Sequence, residues 1–206
     1  MDVSFVPDSG PGVENCTNGV DDDGDGLVDC EDADCATNPV CIPPATGDEC
    51  ISAEVASLGT NPFDSTNATT GTDPIPDPAT CNQGLGDMLG DIWFEYVPTE
   101  SGSLFVSTCS PGSFDTDLVA YTGSCASLIV VACNGDVTQN TSPTCQQYWS
   151  EVTIDVIAGE TYWFRIGAWG TPHPGNGLPG PGALILDLTS SGPIENCSNG
   201  SDDDGD

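Results

Sequence analysis

Short runs in which apolar and polar positions alternate recur through the middle of the chain, at 91–97, 103–107, 118–121, 128–132, 152–156 and 161–166. β-Branched and aromatic residues dominate these runs, and clusters of turn-forming residues separate them. A period of two puts successive side chains on opposite faces, the signature of half-buried strands. A further run at 184–188 precedes a Thr-Ser-Ser-Gly-Pro turn, and a short strand is predicted at 3–6. Residues 51–58 fit either one helical turn or an edge strand. The turns at 100–102 and 158–160 read as hairpin connections. Abundant Gly, Pro, Ser, Thr and Asp argue against long helices. About seven or eight such strands predict an all-β fold, an antiparallel two-sheet β-sandwich of jelly-roll-like form, over residues 44–190.

The alternation fails between residues 13 and 43. There the chain reads Asp21-Asp22-Asp23-Gly24-Asp25-Gly26-Leu27-Val28-Asp29-Cys30-Glu31-Asp32. This fits the calcium-loop template D-x-D-x-D-G-x-x-D-x-x-[DE] at every defining position. Calcium takes roughly six to eight oxygen ligands and tolerates irregular geometry. Asp21, Asp23 and Asp25 hold the first three ligand positions. Gly26 permits the sharp turn that brings later ligands back. Leu27 would offer its backbone carbonyl, Asp29 would ligate directly or through water, and Asp32 would close the sphere. Carboxylates this close repel one another unless a cation sits among them. Neither flank has the apolar period of a helix, so the loop is not set in an EF-hand. Cys16, Cys30, Cys35 and Cys41 surround it instead.

The last residues, Glu195 to Asp206, repeat Glu14 to Asp25 at an offset of 181 residues. Asp202, Asp204 and Asp206 restart the first three ligand positions, and following residues would be needed to complete that site. The chain therefore reads as an N-terminal strand and linker (1–12), an acidic, cysteine-rich loop module (13–43), a sandwich (44–190) and the start of the next loop (191–206). Strand 3–6 falls in the slot that ends a repeat. It is expected either to pack on its own domain or to complete the sandwich of a preceding unit by strand addition.

Charge narrows the partners. The formal net charge is −32, with Arg165 the one strong base and no Lys. Phosphate binding needs clustered Lys and Arg, which excludes nucleic acid and disfavours an anionic membrane surface. No apolar run approaches the roughly 20 residues of a spanning helix, so no membrane insertion is expected. Eleven cysteines point to an oxidising compartment, and so to an extracellular or cell-surface location. Cys197 is the repeat equivalent of Cys16, which leaves Cys16, Cys30, Cys35, Cys41, Cys50, Cys81, Cys109, Cys125, Cys133 and Cys145 in one unit. Residues 1–6 have neither the basic region nor the apolar core of a signal peptide. A removed leader, or a longer parent chain, is the expectation.

Two resemblances follow from these residues. Glu14, Cys16, Asn18, Gly19, Asp21 to Gly26, Leu27, Asp29 and Cys30 resemble thrombospondin type 3 and dockerin loops and the Asp/Cys-rich segments of bacterial surface proteins. That likeness covers about 30 residues and implies a calcium-ordered, disulfide-pinned linker. Asp48-Glu49-Cys50, Asp91 to Tyr96, Ser101 to Leu104, Phe114 to Leu118, Tyr121-x-Gly123-Ser124-Cys125, Ala132 to Asp136 and Ala158 to Gly167 run in order. Together they resemble the pre-peptidase C-terminal-like β-sandwich of secreted bacterial proteins, which implies an accessory or adhesive module. Cys125 and Cys133 flank an expected hairpin and would pair. Proximity and resemblance suggest Cys109–Cys145, Cys50–Cys81, Cys16–Cys30 and Cys35–Cys41.

Other candidates carry less. Asp115, Asp117 and Asp136 could hold a second cation or cap turns. Trp149 and Trp169 lie nearer loops than Trp93, Tyr96, Tyr162 and Trp163 and could stack on a sugar ring. Sequons at Asn15, Asn67, Asn140, Asn196 and Asn199 are possible glycosylation sites. No nucleophile motif is present, and a triad would need the lone His173 in a Thr-Pro-His-Pro-Gly loop, so no enzyme activity is expected. The sequence predicts a secreted structural repeat that forms a calcium-stabilised, disulfide-linked filament or array with copies of itself. The alternative is a carbohydrate-binding or adhesive accessory module.

Overall fold

The computed structural model describes residues 13–38, 40–73, 75–77, 80–81, 85–110, 114–137, 145, 148–170 and 178–191. The chain divides after Pro44 into two compact units. The larger carries, among the described residues, β1 (Glu54–Val55), β2 (Gly59–Asp64), β3 (Leu89–Tyr96), β4 (Gly102–Ser107), β5 (Thr116–Ser124), β6 (Ser127–Asn134), β7 (Glu151–Val156), β8 (Tyr162–Ala168) and β9 (Pro181–Ser190). One sheet runs β1-β3-β8-β5-β6 and the other β2-β9-β4-β7. All pairings are antiparallel except β1 on β3. The fold is all-β in two sheets, and β3 to β9 fall on the runs that alternation marks out.

Three details depart from expectation. Strand β2, Gly-Thr-Asn-Pro-Phe-Asp, buries only Asn61 and Phe63. It sits at a sheet edge, where Pro62 can be tolerated although it brings no N–H. The turns at 100–102 and 158–160 are not hairpins. β3 and β4 lie in different sheets, as do β7 and β8, so both connections carry the chain across the sandwich. The hairpin between consecutive strands is β5–β6, which turns at Ser124 and Ser127. Residues 51–58 realise both alternatives in succession: a 3₁₀ turn at Cys50–Ser52, then edge strand β1.

The core between the sheets is built from one parity of residues. Ile92, Phe94, Leu118, Ala120, Phe164 and Ile166 meet Leu104, Val106, Ile154, Val156, Leu184 and Leu186. The opposite parity of the five-stranded sheet is also covered. Trp93, Val119 and Tyr121 pack with Cys50, Cys81, Leu85 and Met88. Strands β3 and β5 therefore show near-continuous burial rather than alternation.

Arg165 stands on that outer face, in register with Trp93 of β3 and Val119 of β5. Its guanidinium is buried, at 1% exposure. Nε donates to Asp91 Oδ2 at 2.7 Å, and the two terminal nitrogens donate to the carbonyls of Asp73 (2.8 Å) and Gly71 (3.1 Å). Asp91 Oδ1 in turn accepts from the Gly71 amide at 2.7 Å. The guanidinium also lies 5.4 Å from the Trp93 ring centroid. One ion pair thus pins residues 71–73, which have no strand of their own, onto the sheet.

Disulfides Cys50–Cys125 and Cys81–Cys133 tie the same outer layer to the β5–β6 hairpin, and Cys109–Cys145 closes a third loop. Two expected pairings, Cys125–Cys133 and Cys50–Cys81, are not formed. Cys125 sits in the hairpin turn, while Cys133 lies six residues into β6 opposite Val119. Six strand residues span about 20 Å, and a disulfide needs its Cα atoms within roughly 7 Å.

Removing one partner of a buried ion pair strands the other charge. Arg165→Met is predicted to lower the unfolding free energy by about 3–5 kcal/mol. The double variant Arg165→Met/Asp91→Leu should recover part of that loss. Urea unfolding of both checks this; equal loss in the two would sink the account.

Candidate metal centre

In the smaller unit the acidic segment closes into a loop through its own side chains. Asp21 accepts from the amides of Gly24 (2.6 Å) and Gly26 (3.0 Å). Asp23 Oδ1 accepts from the Asp25 amide at 3.1 Å, and Asp25 Oδ1 from the Leu27 amide at 2.8 Å. Gly26 has φ of 97°, a backbone that L side chains rarely adopt, so the turn requires glycine there. The result is that Asp21, Asp23 and Asp25 each bring a carboxylate oxygen within 4.8 Å of the others. Each pair costs about 1 kcal/mol even at the dielectric constant of water, and more beside protein.

A second group shares Asp23. Glu14, Asp23 and Asp32 also lie within 4.8 Å of one another. Glu14 and Asp32 are buried, at 5% and 3% exposure. Glu14 accepts from the amides of Asp22 (2.9 Å) and Asp29 (3.0 Å). Asp32 Oδ1 caps the 3₁₀ turn Ala33–Cys35 by accepting from Asp34 at 2.7 Å. Its other oxygen, Oδ2, is buried with no hydrogen-bond partner. An unpartnered buried carboxylate oxygen is costly unless something positive meets it. Together with an all-oxygen donor set, this fits a hard cation such as calcium.

The expected ligands divide. Asp21, Asp23 and Asp25 converge, and Asp32 joins Asp23. Asp29 is placed elsewhere: its carboxylate takes the amides of Asn18 (2.9 Å) and Gly19 (3.0 Å), so backbone donors already hold its charge. Leu27 is exposed, and its amide closes the turn on Asp25. Asp202, Asp204 and Asp206 lie outside the described residues, as do strand 3–6, Cys197 and His173. Glu14 is the residue that the loop template does not reach, because it stands upstream of it. The signal was its recurrence as Glu195 at the same offset as the aspartates.

Two crossed disulfides hold this unit: Cys16–Cys35 and Cys30–Cys41. They replace the expected Cys16–Cys30 and Cys35–Cys41. Burial explains the choice: Cys16 and Cys35 are buried and pair inside, whereas exposed Cys30 pairs with half-buried Cys41 nearer the surface. In the chain-entropy account, each loop of this size contributes about 3 kcal/mol.

The larger unit also gathers carboxylates. Asp115 and Asp117 flank Thr116, the first residue of β5, and Asp136 follows β6. Asp117 is fully buried and Asp115 nearly so. Asp117 Oδ2 accepts from the Gly86 amide at 2.7 Å. Burial, then repulsion from Asp115, Asp136 and Asp87, raises Asp117 to about 8 despite that amide. Burial and Asp136 raise Asp115 to about 6. Burial likewise raises Asp136.

Among the aromatic candidates, Trp93, Tyr96 and Tyr162 are buried, while Trp163 is half-buried against the outer layer. Trp149 is buried at 5% exposure, which removes it as a sugar-stacking surface. Trp169 is half-buried. Of the sequons, Asn15 and Asn67 are exposed, while Asn140, Asn196 and Asn199 lie outside the described residues.

No protein-family model and no curated protein matches the chain. Among solved structures, it is similar over 67% of its length to the surface-associated copper-binding protein CorA of Methylomicrobium album BG8, covering 98% of that chain at 8% identity and a TM-score of 0.38. It is similar over the same share to a GH26-CBM35 β-(1,4)-mannanase of Podospora anserina, at 12% identity and a TM-score of 0.27. The chain spans 29% of the mannanase. Likenesses this slight carry no functional argument.

Two outcomes are predicted. Glu14→Gln should speed hydrogen exchange at the Asp22 and Asp29 amides by about tenfold, since charge-assisted bonds are roughly twice as strong as neutral ones. Unchanged exchange would show that Glu14 does not hold the loop. The second concerns pH. A carboxyl raised in the folded state, from 3.8 to about 8 for Asp117, keeps its proton while the unfolded chain loses it. Its stabilising contribution is complete below pH 4 and is lost as pH rises to about 8. Chelator-treated protein should therefore lose stability across that window in denaturant titrations, and Asp117→Asn should flatten the profile.

Proposed function

We propose that the chain is a calcium-ordered structural repeat of an extracellular protein, with copies of itself as its partners. The observation that carries this is the convergence of Asp21, Asp23 and Asp25 on a glycine-permitted turn, beside a buried Asp32 oxygen that lacks a hydrogen-bond donor. Calcium supplies the missing positive charge and orders a segment that has almost no apolar core. Among its described residues only two cysteines are buried apolar groups. Such a segment relies on cross-links and metal rather than on hydrophobic burial.

Five disulfides support maturation outside the reducing cytosol. No helix of the described residues is long and apolar enough to cross a membrane. The recurrence of Glu14–Asp25 as the closing segment supports a repeat in which one acidic loop precedes each sandwich. In that arrangement the loop works as a joint that stiffens when calcium binds, and the assembly is a filament or array. The proposed role is structural.

Calcium at about one hundred times its dissociation constant should stabilise the loop unit by roughly 2.7 kcal/mol. Calorimetric melts with calcium and with EGTA measure this, and Asp21→Asn/Asp23→Asn should remove the part of the difference that comes from the loop unit. Electron microscopy of the native material should show end-to-end particles that shorten in EGTA. A melt and a particle length indifferent to EGTA would overturn the proposal.

A further inference from the structure

Several carboxylates of this chain are held by backbone amides, among them Glu14, Asp21, Asp29 and Asp48, and two buried oxygens that are not so held are informative. Asp115 Oδ1 and Asp117 Oδ1 are both buried without a hydrogen-bond partner. Asp117 is 0% exposed and Asp115 8%. Both belong to the start of β5, and the half-buried Asp136 sits across from it, because Leu118 pairs with Asn134. Asp87 adds a fourth negative charge felt by Asp117. Among the described residues no base answers them: Arg165 is bound to Asp91, Asp73 and Gly71. The Gly86 amide reaches only one oxygen, Asp117 Oδ2.

We propose that this end of the sandwich is a second divalent-cation site, with Asp115 and Asp117 as direct ligands through their unpartnered oxygens and Asp136 supplying a third negative charge. The site is separate from the acidic loop and does not depend on the reading of that loop. The donors are carboxylate oxygens, which select a hard cation of the calcium type over thiophilic or imidazole-seeking metals. Binding would turn a repulsive cluster into an attractive one, and would anchor the start of β5 to the Gly86 segment and to Trp169, whose amide donates to the Asp115 carbonyl at 3.2 Å.

That tryptophan supplies the assay. Terbium, a calcium mimic, emits when a nearby indole is excited. The test uses the full chain with Asp21→Asn/Asp23→Asn/Asp25→Asn, which disables the loop. This variant is expected to bind one calcium by calorimetry and to give sensitised terbium emission that calcium quenches. Adding Asp115→Asn/Asp117→Asn, isosteric and neutral, should cut the emission at least tenfold while circular dichroism keeps its β-sheet signal. If that variant does not fold, Asp136→Asn decides, with an expected fall in calcium affinity of about tenfold. A folded loop-disabled chain that binds neither ion overturns the proposal, as does full emission from the Asp115→Asn/Asp117→Asn chain. A melt of the loop-disabled chain that calcium leaves unmoved also counts against it, because two protonated carboxyls would need no cation.

Discussion

Thirty-three carboxylates share this chain with a single guanidinium, and the way that imbalance is met organises both units. Arg165 goes to Asp91. The other buried carboxylates must find backbone N–H groups, hydroxyls or a cation, while the exposed ones are met by water. Glu14 takes the amides of Asp22 and Asp29, Asp29 those of Asn18 and Gly19, and the buried Asp48 the amide and hydroxyl of Thr69. Bonds to an ionised acceptor are short and strong, so each one also fixes a piece of irregular backbone. Loops without helix or strand are thus ordered by the acids they carry. Where the amides run out, at Asp32, Asp115 and Asp117, oxygens are left buried and bare.

The same logic explains the layering of the sandwich. A sheet whose two faces are both covered normally has helices on the outside. Here the outer cover is loop, and loop backbone brings polar groups that must be satisfied. Arg165 and Asp91 satisfy those of Gly71 and Asp73 from within the sheet, while Trp93 and Tyr121 supply apolar contact around them. Two disulfides then hold the layer down.

Much of this could be read before any coordinates, and the failures have physical causes. Strands β3 to β9 announce themselves because β-branched and aromatic residues cluster between turns. Strand β2 does not, because an edge strand tolerates Gly59 and Pro62 and needs only two inward side chains. A tight turn looks the same whether it returns the chain to its own sheet or carries it to the other, so 100–102 and 158–160 misled. Cysteine pairing depends on burial and cross-strand register, which sequence distance does not report; of the local guesses only Cys109–Cys145 matches the bridges formed. The spacing of Asp21, Asp23 and Asp25 is a property of one short loop and was legible. Glu14 reaches that loop from outside, and Asp29 is claimed by the amides of Asn18 and Gly19, so neither role follows from spacing. Trp149 lies beside loops in sequence yet is buried in space.

The bridge between Cys50 and Cys125 has a mechanical side. It spans 75 residues, and Cys50 sits five positions from the first residue of the larger unit. Tension applied to the two ends of that unit would be passed straight across the bond. The enclosed stretch, which contains β1 to β5, could not pay out. About 250 Å of slack, at roughly 3.3–3.6 Å per residue, is withheld for as long as the bond is intact. A string of such units would lengthen under load by far less than its residue count implies.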